Sequence, residues 1–163
     1  MNYLQSAQAL YEQMVRDRRH LHQHPEVGMD LPETCSYVMA RLTEMGYQPR
    51  RLGGGVTATL TGKPDGKVFL LRADMDALPM REESGLPFAS QRSCAHTCGH
   101  DMHTAMLLGA AKILNEVKDE LSGDVRLVFQ PAEETAVGAL RMMEEHALDG
   151  VDAIYGVHVW GTY

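Results

Sequence analysis

Cys94, His96, Cys98, His100, Asp101 and His103 fall within ten residues, a density of thiol and imidazole groups that points to metal binding. Sulfur and imidazole nitrogen suit zinc and other borderline divalent cations. Cys98 and His100 are two apart, so in an extended segment they face the same side, as one shared cation needs. The competing reading has some of these histidines capping a helix that starts near Asp101 or lying exposed. For His96 and His103 that plainer reading is the favoured one. Glu133-Glu134 is usually no more than the acidic first turn of a helix, stabilised by the helix dipole. Here the pair directly follows an apolar strand and Pro131, where neighbouring helix-start residues diverge by about 100° and address different atoms. One carboxylate can then hold a metal while the other holds a water, the arrangement that metal-assisted hydrolysis requires. His158, in Val157-His158-Val159-Trp160, is either a hydrogen-bonded strand histidine or a further ligand. Asp76 either orients a ligand or bonds the turn at Pro79.

These groups need a scaffold that gathers them. Apolar residues at helical spacing predict a helix over residues 4 to 22, stopped by His24-Pro25, and a second from Pro32 to Gly46. Val56 to Thr61 and Lys67 to Arg72 read as strands joined by a turn at Pro64-Asp65-Gly66, hence as a hairpin. Residues 77 to 99 are mostly loop. Helical spacing returns over Met102 to Val117 and Ala136 to His146, and Asp124 to Phe129 and Asp152 to Val159 read as short apolar strands. The order αα, ββ, loop, α, β, α, β predicts an α/β fold, a mixed sheet flanked by helices. Ligand crevices of open α/β sheets lie at the carboxyl ends of the strands, and Arg72 to Asp76, Gln130 to Glu134 and His158 all follow strands. One cleft can collect all three.

The 163 residues suit one domain, and 44% hydrophobic with 23% charged residues is an ordinary globular balance. A net charge of −7 without a Lys/Arg block argues against nucleic acid or an anionic membrane as partner. No signal peptide or spanning segment is evident, so a cytoplasmic location is expected. Three cysteines argue against a disulfide framework. A Cys94/Cys98 redox couple is disfavoured by the surrounding histidines, serine or cysteine nucleophile catalysis lacks its elbow signature, and Gly53-Gly54-Gly55 is a turn without the Lys-Ser/Thr of a phosphate loop. The eleven methionines read as packing filler.

Taken as a set, Arg19-His20-Leu21-His22-Gln23-His24-Pro25-Glu26, Leu71-Arg72-Ala73-Asp74-Met75-Asp76-Ala77-Leu78-Pro79, His96-Thr97-Cys98-Gly99-His100-Asp101-Met102-His103, Phe129-Gln130-Pro131-Ala132-Glu133-Glu134 and Gly156-Val157-His158-Val159 resemble the aminoacylase-like metallopeptidase family. The likeness is to its amidohydrolase branch of N-acyl-amino-acid, hippurate and auxin-conjugate hydrolases. The resemblance implies a zinc-exopeptidase-like α/β/α sandwich and a two-metal amidase acting on a small N-acyl amino acid or dipeptide. By position it implies Cys98, in a bridging role, His100, Glu134 and His158 as metal ligands, Glu133 as general base, and Asp76 as the acidic residue that orients a ligand. At Asp74 the wider family's metal-binding histidine is absent, and His100 takes its place. The metals implied are divalent, zinc or manganese, with cobalt or nickel also compatible.

Members of this family are much longer, with a lid or dimerisation domain and a return to the catalytic domain carrying one further histidine ligand. Residues 1–163 are therefore expected to be the N-terminal portion of a catalytic domain, ending at Tyr163 without a closing helix. Apolar faces left exposed would favour homo-oligomer formation or marginal stability. The alternative function is a non-catalytic fragment that only binds metal or pairs with another chain.

Overall fold

Asp17, midway along the second helix, is almost wholly buried and shows how the helical layer is assembled. It accepts from Gln13 Nε2 at 2.9 Å, from the Tyr37 hydroxyl at 2.7 Å and from Arg41 Nε at 3.0 Å, so one charged side chain knots two helices together. The computed structural model describes residues 2–161; the expected chain end at Tyr163 lies outside them. The helix expected over residues 4 to 22 is two: α1 (Tyr3–Ala9), capped by the Asn2 side chain, and α2 (Tyr11–Gln23), with the break at Leu10. Helix α3 (Pro32–Glu44) begins with Pro32 in its first turn and buries Thr34, Cys35, Val38 and Leu42 at the spacing of one helical face.

Strands β1 (Arg50–Leu52) and β2 (Gly55–Leu60) form an antiparallel hairpin whose turn is the glycine run read as a turn from sequence. The hairpin expected between Val56 to Thr61, which is this second strand, and Lys67 to Arg72 does not form. Strand β3 (Lys63–Asp74) is separated from β2 by β4 (Ser122–Gln130), in the sheet order β1-β2-β4-β3-β5. β4 runs antiparallel to β2, with Thr57 opposite Val128, and parallel to β3, with Leu71 opposite Leu127. The physical reason is burial on both faces: Val125, Leu127 and Phe129 face one core, Val128 the other, and such a strand belongs in the middle of a sheet. β5 (Ala153–Gly156) pairs parallel with β3 at the edge and ends at Gly156, short of the strand expected to reach Val159.

One face carries α3 and α4 (His100–Glu116) over Leu31, Val38, Leu42, Val56, Leu107, Leu108, Leu127 and Phe129. The other is covered by α5 (Gly138–Glu144) over Leu52, Leu70, Val128, Met142 and Ala147. The expected mixed sheet with helices on both faces is therefore present. Loop 77–99 is pinned by bridges between Val27 and Ala77 and between Leu78 and Ala95. Ile154, Tyr155, Val157 and Trp160 around the β5 edge are exposed, Trp160 to 85%. No described helix is long and apolar enough to cross a membrane.

Candidate metal centre

Because β3, β4 and β5 are parallel neighbours, their carboxyl ends finish on one edge of the sheet. Asp74 lies opposite Gln130, and Arg72 opposite Gly156, so the segments running to Glu134 and His158 start one strand spacing to either side of the segment running to Asp76. Helix α4 supplies the fourth group. Thr104 Oγ1 on α4 donates to the Asp74 carbonyl at 2.9 Å, holding the start of that helix against the end of β3.

His100 is the point of convergence. It is fully buried, and its Nδ1 lies 2.8 Å from the Asp76 carbonyl and 3.2 Å from Asp76 Oδ1. An N–H on Nδ1 serves both acceptors, which leaves Nε2 as a lone pair. That Nε2 is buried without a hydrogen-bond partner among the described residues. It looks toward Glu133 Oε2 and Glu134 Oε1, both at 3.7 Å. Cys98 Sγ lies 3.5 Å from His158 Nε2, and Cys98, His100 and His158 offer ligand atoms within 4.8 Å of one another. His100, Glu133 and Glu134 form a second such group, and Asp74, His100 and His103 a third.

The sequence-predicted residues thus come together: Cys98, His100, Glu134 and His158 around one space, Glu133 at its side, and Asp76 behind His100. A buried imidazole nitrogen with no partner, facing sulfur, nitrogen and carboxylate oxygen, fits a divalent cation. In the metal-free site, burial pushes the Cys98 thiol up to about 11, with contact to Glu134 and the nearby negative charges adding to the shift.

The local reasons differ from the sequence expectations at three places. Cys98 and His100 do not share an extended segment. Gly99 stands between them at φ 91°, and His100 opens α4, so a left-handed turn brings the pair to one side. A Cβ at position 99 would stand 2.5 Å from Val159 Cγ2, so this turn is also where the His158 segment packs. Glu133 and Glu134 do not open a helix, because α5 starts only at Gly138. They sit in a turn entered through Ala132 at φ 47° and closed by Gly138, whose Cβ would overlap the Pro131 carbonyl at 1.6 Å. Asp76 Oδ2 accepts from the Glu134 N–H at 3.1 Å, so the same carboxylate that orients His100 also fixes that turn. His158 lies beyond the strand rather than in it, with Nδ1 2.6 Å from the Val159 carbonyl.

Two histidines differ from the plainer reading. His96 and His103 are both buried rather than exposed, and burial drives the His96 imidazole down to about 4. His103 Nδ1 lies 2.5 Å from Asp74 Oδ1. Burial works to raise the Asp74 carboxyl, but the His103 hydrogen bond and the charge of the Arg72 guanidinium, beside the His100 and His103 rings, outweigh it and hold it below the usual range. The third group of potential ligands was missed from sequence because Asp74 and His103 are far apart along the chain; only their shared nearness to His100 joins them. Cys94 is not paired with Cys98: all three cysteines are free, and Cys94 Sγ donates to the Pro25 carbonyl at 3.2 Å.

Fold and site together define an α/β domain with a metal-compatible cluster at the carboxyl edge of a mixed sheet, the class to which metal-dependent hydrolases belong. The chain belongs to peptidase family M20/M25/M40, whose model matches residues 70–163. It is 48% identical over 152 residues to an N-acetyl-L-cysteine deacetylase of Bacillus subtilis, covering 91% of this chain and 36% of that protein. It is 44% identical over 147 residues to an N-acyl-L-amino acid amidohydrolase of Geobacillus stearothermophilus, covering 88% of this chain and 40% of the relative. Among solved structures, the YXEP protein of Bacillus subtilis, described as a dinuclear metal-binding peptidase of the M20 family, superposes with a TM-score of 0.90 at 42% identity. That match covers 94% of this chain and 44% of YXEP, so the chain spans less than half the length of these relatives.

Proposed function

We propose that this chain is the N-terminal portion of the catalytic domain of a metal-dependent amidohydrolase that removes the acyl group from an N-acyl amino acid or splits a related small amide or dipeptide. The observation that carries the reading is the orphaned, buried Nε2 of His100, aimed at two adjacent carboxylates beside a thiol and a second imidazole. The names of the deacetylase and amidohydrolase relatives support the substrate class.

In this reading Cys98, His100, Glu134 and His158 would hold two divalent ions, and zinc or manganese would suit the mixed donor set. When bound, the ions supply Lewis acidity that lowers the pKa of a water and polarises the scissile carbonyl. Asp76 keeps the proton of His100 on Nδ1 and so presents Nε2 to the centre. Glu133, whose side chain is the more open of the two, takes the proton of the attacking water and returns it to the leaving amine. Cleavage adds water across the C–N bond: hydroxyl to the acyl carbon, proton to the nitrogen. The activity proposed is that of the whole protein, and residues 1–163 in isolation are expected to turn over poorly.

The test is Glu133→Gln in the full-length protein, assayed on N-acyl amino acids with metal content measured in parallel. Loss of a general base lowers turnover by about 10²-fold or more while leaving the ligands in place. Turnover close to wild type with full metal content would remove Glu133 from the mechanism.

A further inference from the structure

His103 is the buried imidazole of the cluster to which the proposed function gives no work. Its grouping with Asp74 and His100 resembles a ligand set, yet both of its ring nitrogens are engaged. Nδ1 lies 2.5 Å from Asp74 Oδ1, and Nε2 accepts the backbone N–H of Val159 at 2.9 Å. A neutral ring protonated on Nδ1 satisfies the carboxylate acceptor and the amide donor together, whereas the opposite tautomer satisfies neither. We propose that His103 is a positioning residue: it carries a hydrogen-bond relay from Asp74, at the end of β3, to the backbone next to His158, and so sets where His158 presents its Nε2 to Cys98 and His100.

The proposal rests on reading His158 as a ligand and deepens that reading. β5 stops at Gly156, so His158 has left the sheet before it reaches the site and needs another anchor. Three contacts supply it. Val159 N–H is held by His103, Val159 Cγ2 packs over Gly99 in the turn between Cys98 and His100, and the His103 and His158 rings meet edge to face with centroids 4.5 Å apart. Asp74 is fixed from its other side by Arg72, whose Nη1 donates to Oδ2 at 2.6 Å, so the relay starts from a buried and immobilised group. Residues that orient ligating side chains in this way are worth about 10- to 100-fold in metal affinity.

Two substitutions of His103 in the full-length protein separate the ends of the relay. Asparagine keeps a donor near Nδ1 for Asp74 but has no acceptor that reaches Val159; glutamine places an acceptor near Nε2. Titrated with Co(II), His103→Asn should bind about 10- to 100-fold more weakly than wild type with an altered visible absorption band, and His103→Gln should recover most of both. His158→Ala is the control. If it leaves the Co(II) affinity and spectrum unchanged, the ligand reading itself fails. If it weakens binding while His103→Asn binds like wild type, the ligand reading stands and the relay falls. Equal losses in the asparagine and glutamine variants also overturn the relay. Imidazole ¹⁵N spectra of the metal-free wild type test it without any substitution: a proton on Nδ1 of His103 is required, and one on Nε2 refutes it.

Discussion

Replacing Asp76 with asparagine removes a charge from behind the proposed metal centre while keeping the shape of the side chain. In the wild type Oδ1 faces His100 Nδ1 at 3.2 Å and Oδ2 accepts from Glu134 N–H at 3.1 Å. Asparagine has one acceptor oxygen and an NH₂ group, so it serves only one of these donors and presents hydrogens to the other. The Asp76 carbonyl is untouched, and it already accepts from His100 Nδ1 at the shorter distance of 2.8 Å. The His100 tautomer therefore survives; what is lost is the negative charge behind the imidazole and the grip on the Glu133-Glu134 turn. Partners of ligating histidines are worth about 10- to 100-fold in metal affinity, and with the carbonyl intact Asp76→Asn should fall at the lower end. That is about tenfold, or about 1.4 kcal/mol. Asp76→Ala goes further, because it leaves the half-buried Glu134 N–H without its acceptor; a fully buried unsatisfied donor costs about 1–3 kcal/mol, and this one should fall at the lower end. The alanine variant should lose stability as well as affinity. Competition titration against a chromogenic chelator, beside urea denaturation of the metal-free protein, separates the two effects. Asp76→Asn binding as tightly as wild type, or as weakly as His100→Ala, would refute the division of labour between side chain and carbonyl.

Away from the centre, His22 is buried with Nδ1 2.7 Å from Asp101 Oδ2 and Nε2 2.9 Å from Glu82 Oε1. The Asp101 bond, joined by Glu82 and opposed by burial, raises its pKa above 6.5, so its stabilisation is complete below the unfolded value and fades as pH rises through the folded one. The gap in melting temperature between wild type and His22→Gln should be widest in mild acid and close toward alkaline pH; a gap that grows with pH contradicts this. For Glu82, burial is outweighed by bonds from His22, Ser84 and Ser90, which hold it at about 2, so its contribution is present above 4.5 and declines as pH drops toward 2. Melting curves of Glu82→Gln against wild type over that range check the sign. Cys98→Ser replaces a soft donor by a hard one and should lower zinc affinity by a larger factor than manganese affinity. Equal losses for the two metals, read by isothermal titration, would place the sulfur outside the coordination sphere.

The gathering of the candidate site was legible in residue types and the strand-end rule. Cys98, His100, Glu133, Glu134 and His158 each have a plainer reading alone but stand out together as thiol, imidazoles and paired carboxylates beside strand ends, and the helices over α3 and α4 follow from apolar spacing. The position of β4 was not legible. Local rules pair consecutive strands, and nothing in residues 56 to 72 announces that a strand from sixty residues downstream will enter between β2 and β3; burial on both faces of β4 settles the order. The same holds for the inner workings of the site. Whether His103 is exposed, a ligand or a strut depends on which atoms stand against its two nitrogens, and Asp74 and the Val159 amide reach them from β3 and from beyond β5. Side-chain identity carries the kind of chemistry a residue can do, because that is a property of its atoms. Tautomer, orientation and role belong to contacts between distant segments, and those exist only once the sheet has brought its carboxyl edge together.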